Sequence, residues 1–170
     1  SSPEKIGDIA LTTYTDILGD GLVYAFCATV GESYNLRKTT DYSLNSKINL
    51  LLTNGLRAIN NIKPLQYCYD AEAVASDHSK DMATRNYFEH INPEGERVGA
   101  RLTKGGINWY ACGENIAAGV YDPYAISNGW YNSDGHRKNI LNEKYKYLGV
   151  GFAYNEKATY KYYSTQNFYT

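Results

Sequence analysis

The first helical pattern in the chain starts near position 43. Apolar side chains recur there at helical intervals, at Ile48, Leu51, Leu52 and Ile59. Side chains spaced in this way share one face of an α-helix. Pro64 has no backbone N–H and restricts the residue before it. We therefore expect a helix that ends just before Pro64.

A second helix is predicted soon afterwards. Its inward positions recur at intervals of three, four, seven and eleven residues, at Ala71, Val74, Ala75, His78 and Met82. Asp70 precedes them, and an acidic side chain at that place can accept bonds from the free backbone N–H groups of a helix start. The same spacing puts His78 on the buried face, where we interpret it as a hydrogen-bonded core histidine.

A shorter helix and a strand are predicted next. Val98 and Leu102 lie one helical turn apart, and Gly105 and Gly106 can adopt the left-handed conformation that ends many helices. Residues 107–111 then combine apolar and aromatic side chains, which favours a strand.

The last third of the chain predicts one more helix and a hairpin. Asp122 can cap a helix whose first residue is Pro123, a position where the missing N–H of proline costs nothing. Residues 148–154 and 160–168 carry strand-forming side chains on both sides of a polar turn. Helices mixed with antiparallel strands predict an α+β fold.

The first forty residues follow a different pattern. Residues 9–30 are rich in Thr, Tyr, Val and Leu around Gly19 and Gly21, which is typical of two strands joined by a turn. We therefore divide the chain into an N-terminal extension with a β-hairpin, residues 1–42, and a main domain, residues 43–170.

Length and charge narrow the classes of function. The chain has 170 residues, and 17 Lys and Arg against 18 Asp and Glu give a formal net charge of −1. Binding to nucleic acid needs clustered positive charge, so we expect no nucleic-acid partner. No run of about 18 apolar residues occurs, so we expect no transmembrane segment. The chain starts at Ser1 without an apolar leader, as expected where an export signal has been removed.

Tyrosine and cysteine usage is unusual. The 18 Tyr suit strands that are partly exposed, and a row of them can also stack on a glycan or a partner protein. Cys27, Cys68 and Cys112 are an odd number at wide spacing, which argues against a disulfide framework and against a Cys-x-x-Cys site. Cys112 ends an apolar stretch, so we interpret it as a buried thiol or a partner of Cys68 rather than as a nucleophile.

Two histidines and one acid lie outside the periodic stretches. His90 follows the second predicted helix, Glu114 lies between Gly113 and Asn115, and His136 comes after that segment. We predict loops at these positions. If the fold brings them together, two neutral imidazoles can bind Zn²⁺ while the carboxylate orients a ligand or moves a proton. Taken singly, a hydrogen-bonded loop anchor is the more common role of each histidine.

Three longer motifs carry a resemblance to a known family. The runs HSKDMATRNYFEH, GENIAAG and WYNSDGHRKNILN, with YLGVGFAY after the last, begin at residues 78, 113 and 130. Together they resemble the bacterial branch of the CAP superfamily, which groups cysteine-rich secretory, antigen 5 and pathogenesis-related proteins, also called SCP-like domains. The resemblance covers residues 43–170 and implies an α-β-α sandwich with a small antiparallel sheet between helical layers. It also implies a protein that is secreted or associated with the cell envelope.

The same resemblance implies a cavity. It places His90, Glu114 and His136 where the family gathers two histidines and two acids, and where some members bind Zn²⁺ or another divalent cation. The position of the second acid holds Ser133, with Asp134 directly after it. We therefore expect His90 and His136 as metal ligands and Glu114 as the catalytic candidate. The expected cavity residues are His90, Glu114, Asn115, Ser133, Asp134 and His136.

Two functions remain open at this stage. The first is an extracellular binding or interaction module whose cavity holds a metal ion or small ligand, with a glycan, a lipid or an extracellular protein as alternative partners. The second is a metal-dependent hydrolase or protease acting on peptide or cell-wall material, with Glu114 as base and a histidine-bound ion activating water. If Glu114 were the third metal ligand, no separate base would remain, so Glu114 cannot fill both roles.

Overall fold

The chain divides into two compact units, Ser1–Thr39 and Thr40–Thr170. A computed structural model describes residues 42–170 in full and, before them, only the backbone of residues 10–15 and 21–26.

The N-terminal unit contains a pair of antiparallel strands. β1 (Ala10–Thr15) pairs with β2 (Gly21–Phe26), with Ala10 opposite Phe26 and Thr15 opposite Gly21. Cys27 lies outside the described residues, as do the ends of the predicted extension.

The second unit alternates helices with short strands. In chain order its described elements are α1 (Ser43–Ile59), β3 (Gln66–Tyr67), α2 (Tyr69–Arg85), α3 (Val98–Lys104), β4 (Cys112–Ala118), α4 (Pro123–Asn132), α5 (Asp134–Ile140), β5 (Tyr147–Tyr154) and β6 (Tyr162–Tyr169). β5 and β6 form the predicted terminal hairpin. The sheet order is β3-β5-β6-β4, so β4 is an edge strand. β3 runs parallel to β5, which makes the sheet mixed rather than purely antiparallel.

One face of the sheet is covered by α2 at very close range. Gly149 and Gly151 of β5 have no side chain, and a Cβ built at Gly149 would lie 2.1 Å from the backbone of Ala71. A Cβ at Gly151 would lie 2.1 Å from the backbone nitrogen of Ser76. The backbones of helix and strand can approach this closely only because both strand positions are glycine. Four of the five predicted inward positions of α2 are buried, His78 among them.

The opposite face is covered by α1, with α4 and α5 beside it. The predicted helix α1 is present, but its buried positions are polar: Asn45, Ser46, Asn49, Thr53 and Arg57. Leu51 and Ile59, which belong to the apolar pattern, are exposed. The two helical layers around the mixed sheet form the expected α-β-α sandwich.

Of the two predicted helix caps, Asp122 and Asp70, one is correct and one is wrong. Asp122 caps α4 as predicted, because its carboxylate accepts the backbone N–H of Tyr124 at 3.1 Å. Asp70 is not a cap. α2 starts two residues earlier than a cap at Asp70 predicts, with Cys68 at the cap position and Asp70 inside the first turn, where its charge favours the positive end of the helix dipole.

Two other predictions around the site are wrong. Residues 107–111 do not form a strand; β4 starts at Cys112 and takes in Glu114, for which a loop is predicted. His136 lies in the short helix α5 rather than in a loop. The middle of β4 is polar and pairs with a polar stretch of β6, where Asn115 lies opposite Gln166. A strand of this kind has no apolar alternation to reveal it.

Candidate functional site

The candidate site is built around the edge strand of the sheet. Glu114 lies in the edge strand β4, His90 follows α2 on one side of the sheet, and His136 belongs to α5 on the other. Asn115 joins the two sides, since its side-chain amide donates to the backbone carbonyl of His136 at 3.2 Å. The fold thus brings together three residues that lie more than twenty positions apart in the sequence.

Glu114 is the centre of the site and is almost fully buried, with 3% of its side chain exposed. Its Oε1 accepts a hydrogen bond from Nδ1 of His90 at 2.8 Å. Its Oε2 accepts a hydrogen bond from the guanidinium of Arg101. Nε2 of His78 lies 4.0 Å from the same Oε2. A carboxylate only accepts, so Nδ1 of His90 carries a proton, and the lone pair of the neutral ring is on Nε2.

Arg101 is a site residue that the sequence reasoning missed. It lies in α3, is buried, and donates from Nη1 to the carbonyl oxygens of His90 at 3.0 Å and of Glu96 at 2.6 Å. The sequence pattern could have predicted its inward position, because Val98, Arg101 and Leu102 have the spacing of one helix face. An arginine on an inward face indicates a buried partner, which here is Glu114.

His136 contributes the second imidazole. Its ring is half-buried, and its Nδ1 is buried without a hydrogen-bond partner within the described residues. Burial lowers the pKa of His136 below its ordinary value, and the positive charge of a protonated His90 lowers it further. His136 is therefore neutral at neutral pH and able to donate a lone pair.

An amide network holds the strand beneath these rings. Asn139 of α5 donates to the backbone carbonyl of Glu114 at 3.0 Å and to Oδ1 of Asn115 at 2.8 Å. Asn115 donates in turn to Oε1 of Gln166 on the central strand β6 at 3.0 Å. The amides of Asn115, Asn139 and Gln166 thus find partners in one another, and the backbone of β4 is fixed at the site.

Ser133 and Asp134 lie at the start of α5. Ser133 is the residue between α4 and α5 and serves as the cap position of α5. The side chain of Asp134 is 83% exposed and forms an ion pair with Arg137 at 2.5 Å. Arg137 also donates to the carbonyl of Tyr131 at 2.9 Å, so it braces this turn. The carboxylate of Asp134 is thus engaged at the surface rather than with His90 and Glu114.

The two described cysteines are free thiols. Cys68 and Cys112 are both half-buried and form no disulfide. Burial raises the pKa of the Cys112 thiol, and the nearby charge of Glu114 raises it further. A thiol with a raised pKa is a poor nucleophile at neutral pH, which favours a structural role.

A charged cleft of about 440 Å³ lies on the α2 and α3 side of the molecule. Its lining includes the buried side chains of His78 and Arg101, with the more exposed Asp77, Glu94 and Lys104 around them. Arg101 therefore faces this cleft and also bonds Glu114. Within residues 42–170, no three His, Cys, Asp or Glu side chains are grouped to hold a metal ion. None of the helices described there has the length and apolar character needed to cross a membrane.

A family comparison covers the residues of this site. The model of the CAP family, described as the cysteine-rich secretory protein family, matches residues 50–168, which include His90, Glu114 and His136. The chain belongs to the CAP family. Three quarters of it also matches an extracellular protein of Bacillus anthracis that contains an SCP domain, at 42% identity and a TM-score of 0.67, and covers 40% of that protein.

Two further relatives extend the comparison. A curated protein of Bacillus subtilis, described as uncharacterized membrane protein YlbC, is 40% identical over 117 residues, which are 69% of this chain and 32% of the relative. The chain thus spans about a third of that protein. An outer surface protein of Borrelia burgdorferi shares the fold with a TM-score of 0.68 at 21% identity, over 76% of this chain and 95% of that one.

Proposed function

We propose that this CAP domain is an extracellular binding module in which His90 and His136 take a divalent cation of the Zn²⁺ type. The observation that carries the proposal is the hydrogen bond of 2.8 Å between Nδ1 of His90 and Glu114. It fixes the proton on Nδ1 and leaves the lone pair on Nε2. Neutral imidazole with its second nitrogen bonded to a carboxylate is the usual arrangement of a zinc-binding histidine.

The donor set fits a cation of this class. Burial keeps His136 in its neutral form, and its Nδ1 is a buried nitrogen without a hydrogen-bond partner in the described part of the chain. Binding of a metal needs deprotonated ligands, so this neutral form favours it. A bound cation would supply positive charge for an anionic group of a ligand. His90 and His136 would hold it, and Glu114 would orient His90 from behind.

Binding is better supported than hydrolysis. The hydrolase hypothesis needs a carboxylate that is free to take a proton from water. Both oxygens of Glu114 accept hydrogen bonds, one from His90 and one from Arg101, and the side chain is buried. A carboxylate in that position orients the ring rather than serving as the base.

An extracellular place of action is part of the proposal. The related protein of Bacillus anthracis is described as extracellular, and that of Borrelia burgdorferi as an outer surface protein. Partners outside the cell, namely a small ligand, a glycan, a lipid or another protein, are thus the ones to test.

Calorimetric titration of the metal-stripped protein with Zn²⁺ near neutral pH tests the cation site. We expect the wild type to bind one ion, and His90→Gln and His136→Gln each to lose most of the affinity. Asp134→Asn is the matched control, because its carboxylate is exposed and paired with Arg137. Wild-type protein that fails to bind, or histidine variants that bind as tightly as wild type, would contradict the proposal. An equal loss of Zn²⁺ affinity in Asp134→Asn would indicate that this carboxylate contributes to the cation site.

A further inference from the structure

Glu114 lies between two histidines, and only one of them is hydrogen-bonded to it. Nδ1 of His90 is 2.8 Å from Oε1, whereas Nε2 of His78 is 4.0 Å from Oε2. His78 instead bonds the backbone carbonyl of Glu89 through Nε2 at 3.1 Å. The oxygen that His78 approaches is the one that already accepts from Arg101.

We propose that Arg101 is the positioning residue of the site and determines which histidine is hydrogen-bonded to Glu114. It donates to Oε2, the oxygen nearer His78, and Oε1 is left for His90, while Nε2 of His78 is bonded to the carbonyl of Glu89. His90 is then held in the tautomer with its proton on Nδ1, and Nε2 is the nitrogen offered to a ligand. That last consequence for ligand binding rests on the proposed function, but the selection of His90 does not.

The other terminal nitrogen of Arg101, Nη1, also positions His90. Nη1 donates to the carbonyl oxygen of His90 itself and to that of Glu96, both in the segment between α2 and α3. The same guanidinium therefore fixes the backbone that carries the ring and the carboxylate that orients the ring. Two groups that must meet at 2.8 Å are positioned by one rigid plane.

The contact pattern requires arginine rather than positive charge alone. Guanidinium presents several donors in a fixed fork, whereas the ammonium of lysine is a single point of charge on a flexible stem. Arg101 uses Nη1 and Nη2 for three acceptors, and its Nε is buried without a partner within the described residues. An unpaired buried donor is unfavourable by itself. It is tolerated here because the outer two nitrogens are placed for Glu114 and the two carbonyls.

The test is the tautomer of His90 in metal-free protein labelled with ¹⁵N at histidine. Long-range ¹H–¹⁵N spectra at about pH 8, above the ordinary titration range of imidazole, report which ring nitrogen carries the proton. We expect Nδ1–H for His90 in the wild type and a mixture of both tautomers in Arg101→Lys and Arg101→Gln. Arg85→Lys is the matched control, since Arg85 pairs with Glu94 at the surface, and it should keep the wild-type spectrum.

The outcomes separate this inference from the cation proposal. An unchanged Nδ1–H tautomer in folded Arg101→Lys overturns the positioning role, and so does a wild-type spectrum with the proton on Nε2. If the variants do not fold, the wild-type spectrum by itself still tests the inference. A tautomer change in Arg101→Lys supports the inference, even if wild-type protein binds no Zn²⁺. If Zn²⁺ does bind, loss of the positioning contact should weaken it about tenfold or more.

Discussion

The two helical layers meet the same sheet in opposite ways. α2 lies on Gly149 and Gly151 so closely that a single methyl group on either glycine would meet helix backbone. α1 instead turns a polar face inward, where Asn49 and Thr53 accept from the amide of Gln166 on β6 at 2.6 and 2.9 Å. The first contact depends on shape, and the second depends on satisfied hydrogen bonds.

This difference shows when an apolar sequence pattern predicts the buried face of a helix and when it predicts only the helix. In α2 the pattern predicts both the helix and its buried face. In α1 it predicts the helix but not the face, because Leu51 of the pattern is 43% exposed while Arg57 is fully buried. A buried polar face is stable when each group finds a partner, and those partners lie on other elements that local sequence does not show.

The most severe test of the polar layer is Arg57→Met. Arg57 donates to the backbone carbonyls of Lys63, Ile140, Asn142 and Tyr145 at 2.7 to 3.3 Å. Methionine fills similar space but leaves these acceptors unpaired, so we expect a loss of about 3 to 5 kcal/mol in the free energy of unfolding. Urea unfolding measures it. A loss below about 1 kcal/mol would mean that water can replace the guanidinium and that the layer is not tightly specified.

The corresponding test of the close-packed layer is Gly151→Ala. The new Cβ would meet the backbone of Ala75 and Ser76, and backbone cannot move aside as a flexible side chain can. We expect a loss of about 2 to 3 kcal/mol in urea unfolding. Gly129→Ala is the control, since a Cβ there meets nothing within 4 Å. Similar stability of the two variants would contradict the close contact.

The dependence of stability on pH sharpens the comparison further, because α2 buries a titratable side chain. Burial lowers the pKa of His78 below its ordinary value of 6.5. As pH falls below about 6.5, the unfolded chain takes up a proton that the folded protein does not, so stability is lost on acidification. The slope from this group is at most about 1.4 kcal/mol per pH unit.

His78→Gln measures that contribution, since glutamine can still donate to the carbonyl of Glu89. Between about pH 7 and pH 5, we expect the free energy of unfolding to fall more steeply in the wild type than in the variant. Parallel curves for the two proteins would show that His78 takes up its proton equally easily in the folded and unfolded states.

The smallest effect is expected on the outer side of α1. Leu51→Ser replaces an exposed apolar side chain, so we expect a change within about 0.5 kcal/mol in urea unfolding. A loss above about 1.5 kcal/mol would show that this stripe is covered in solution and would remove the contrast between the two faces of the helix.

Much of the fold could be predicted from local signals. The cap at Asp122 and the hairpin of β5 and β6 follow from side-chain chemistry within a few residues. β4 could not be found in this way, because its polar centre is stable only opposite Gln166 and beneath Asn139. The same holds for the start of α2, which lies one residue before the expected acidic cap.

The residues of the site, too, could be predicted only in part from local sequence. Residue type and family resemblance identify His90, Glu114 and His136 as candidates, whereas they do not identify Arg101. Nothing within a few residues of Arg101 indicates its partner, since Glu114 lies thirteen positions away and on another element. Asp134 is expected in the cavity, but its short distance from Arg137 within one helical turn gives it a surface partner.

The sequence by itself determined the first four helices of the main domain, the terminal hairpin, the family and the types of residue available for chemistry, because these depend on spacing and on local hydrogen bonds. Only the tertiary structure decided which face of α1 is buried, that β4 is a strand, and what Glu114 does. The physical reason is that a buried polar group is stable only with partners that lie far away in the chain. For Glu114 those partners are His90 and Arg101, which are hydrogen-bonded to its two carboxylate oxygens.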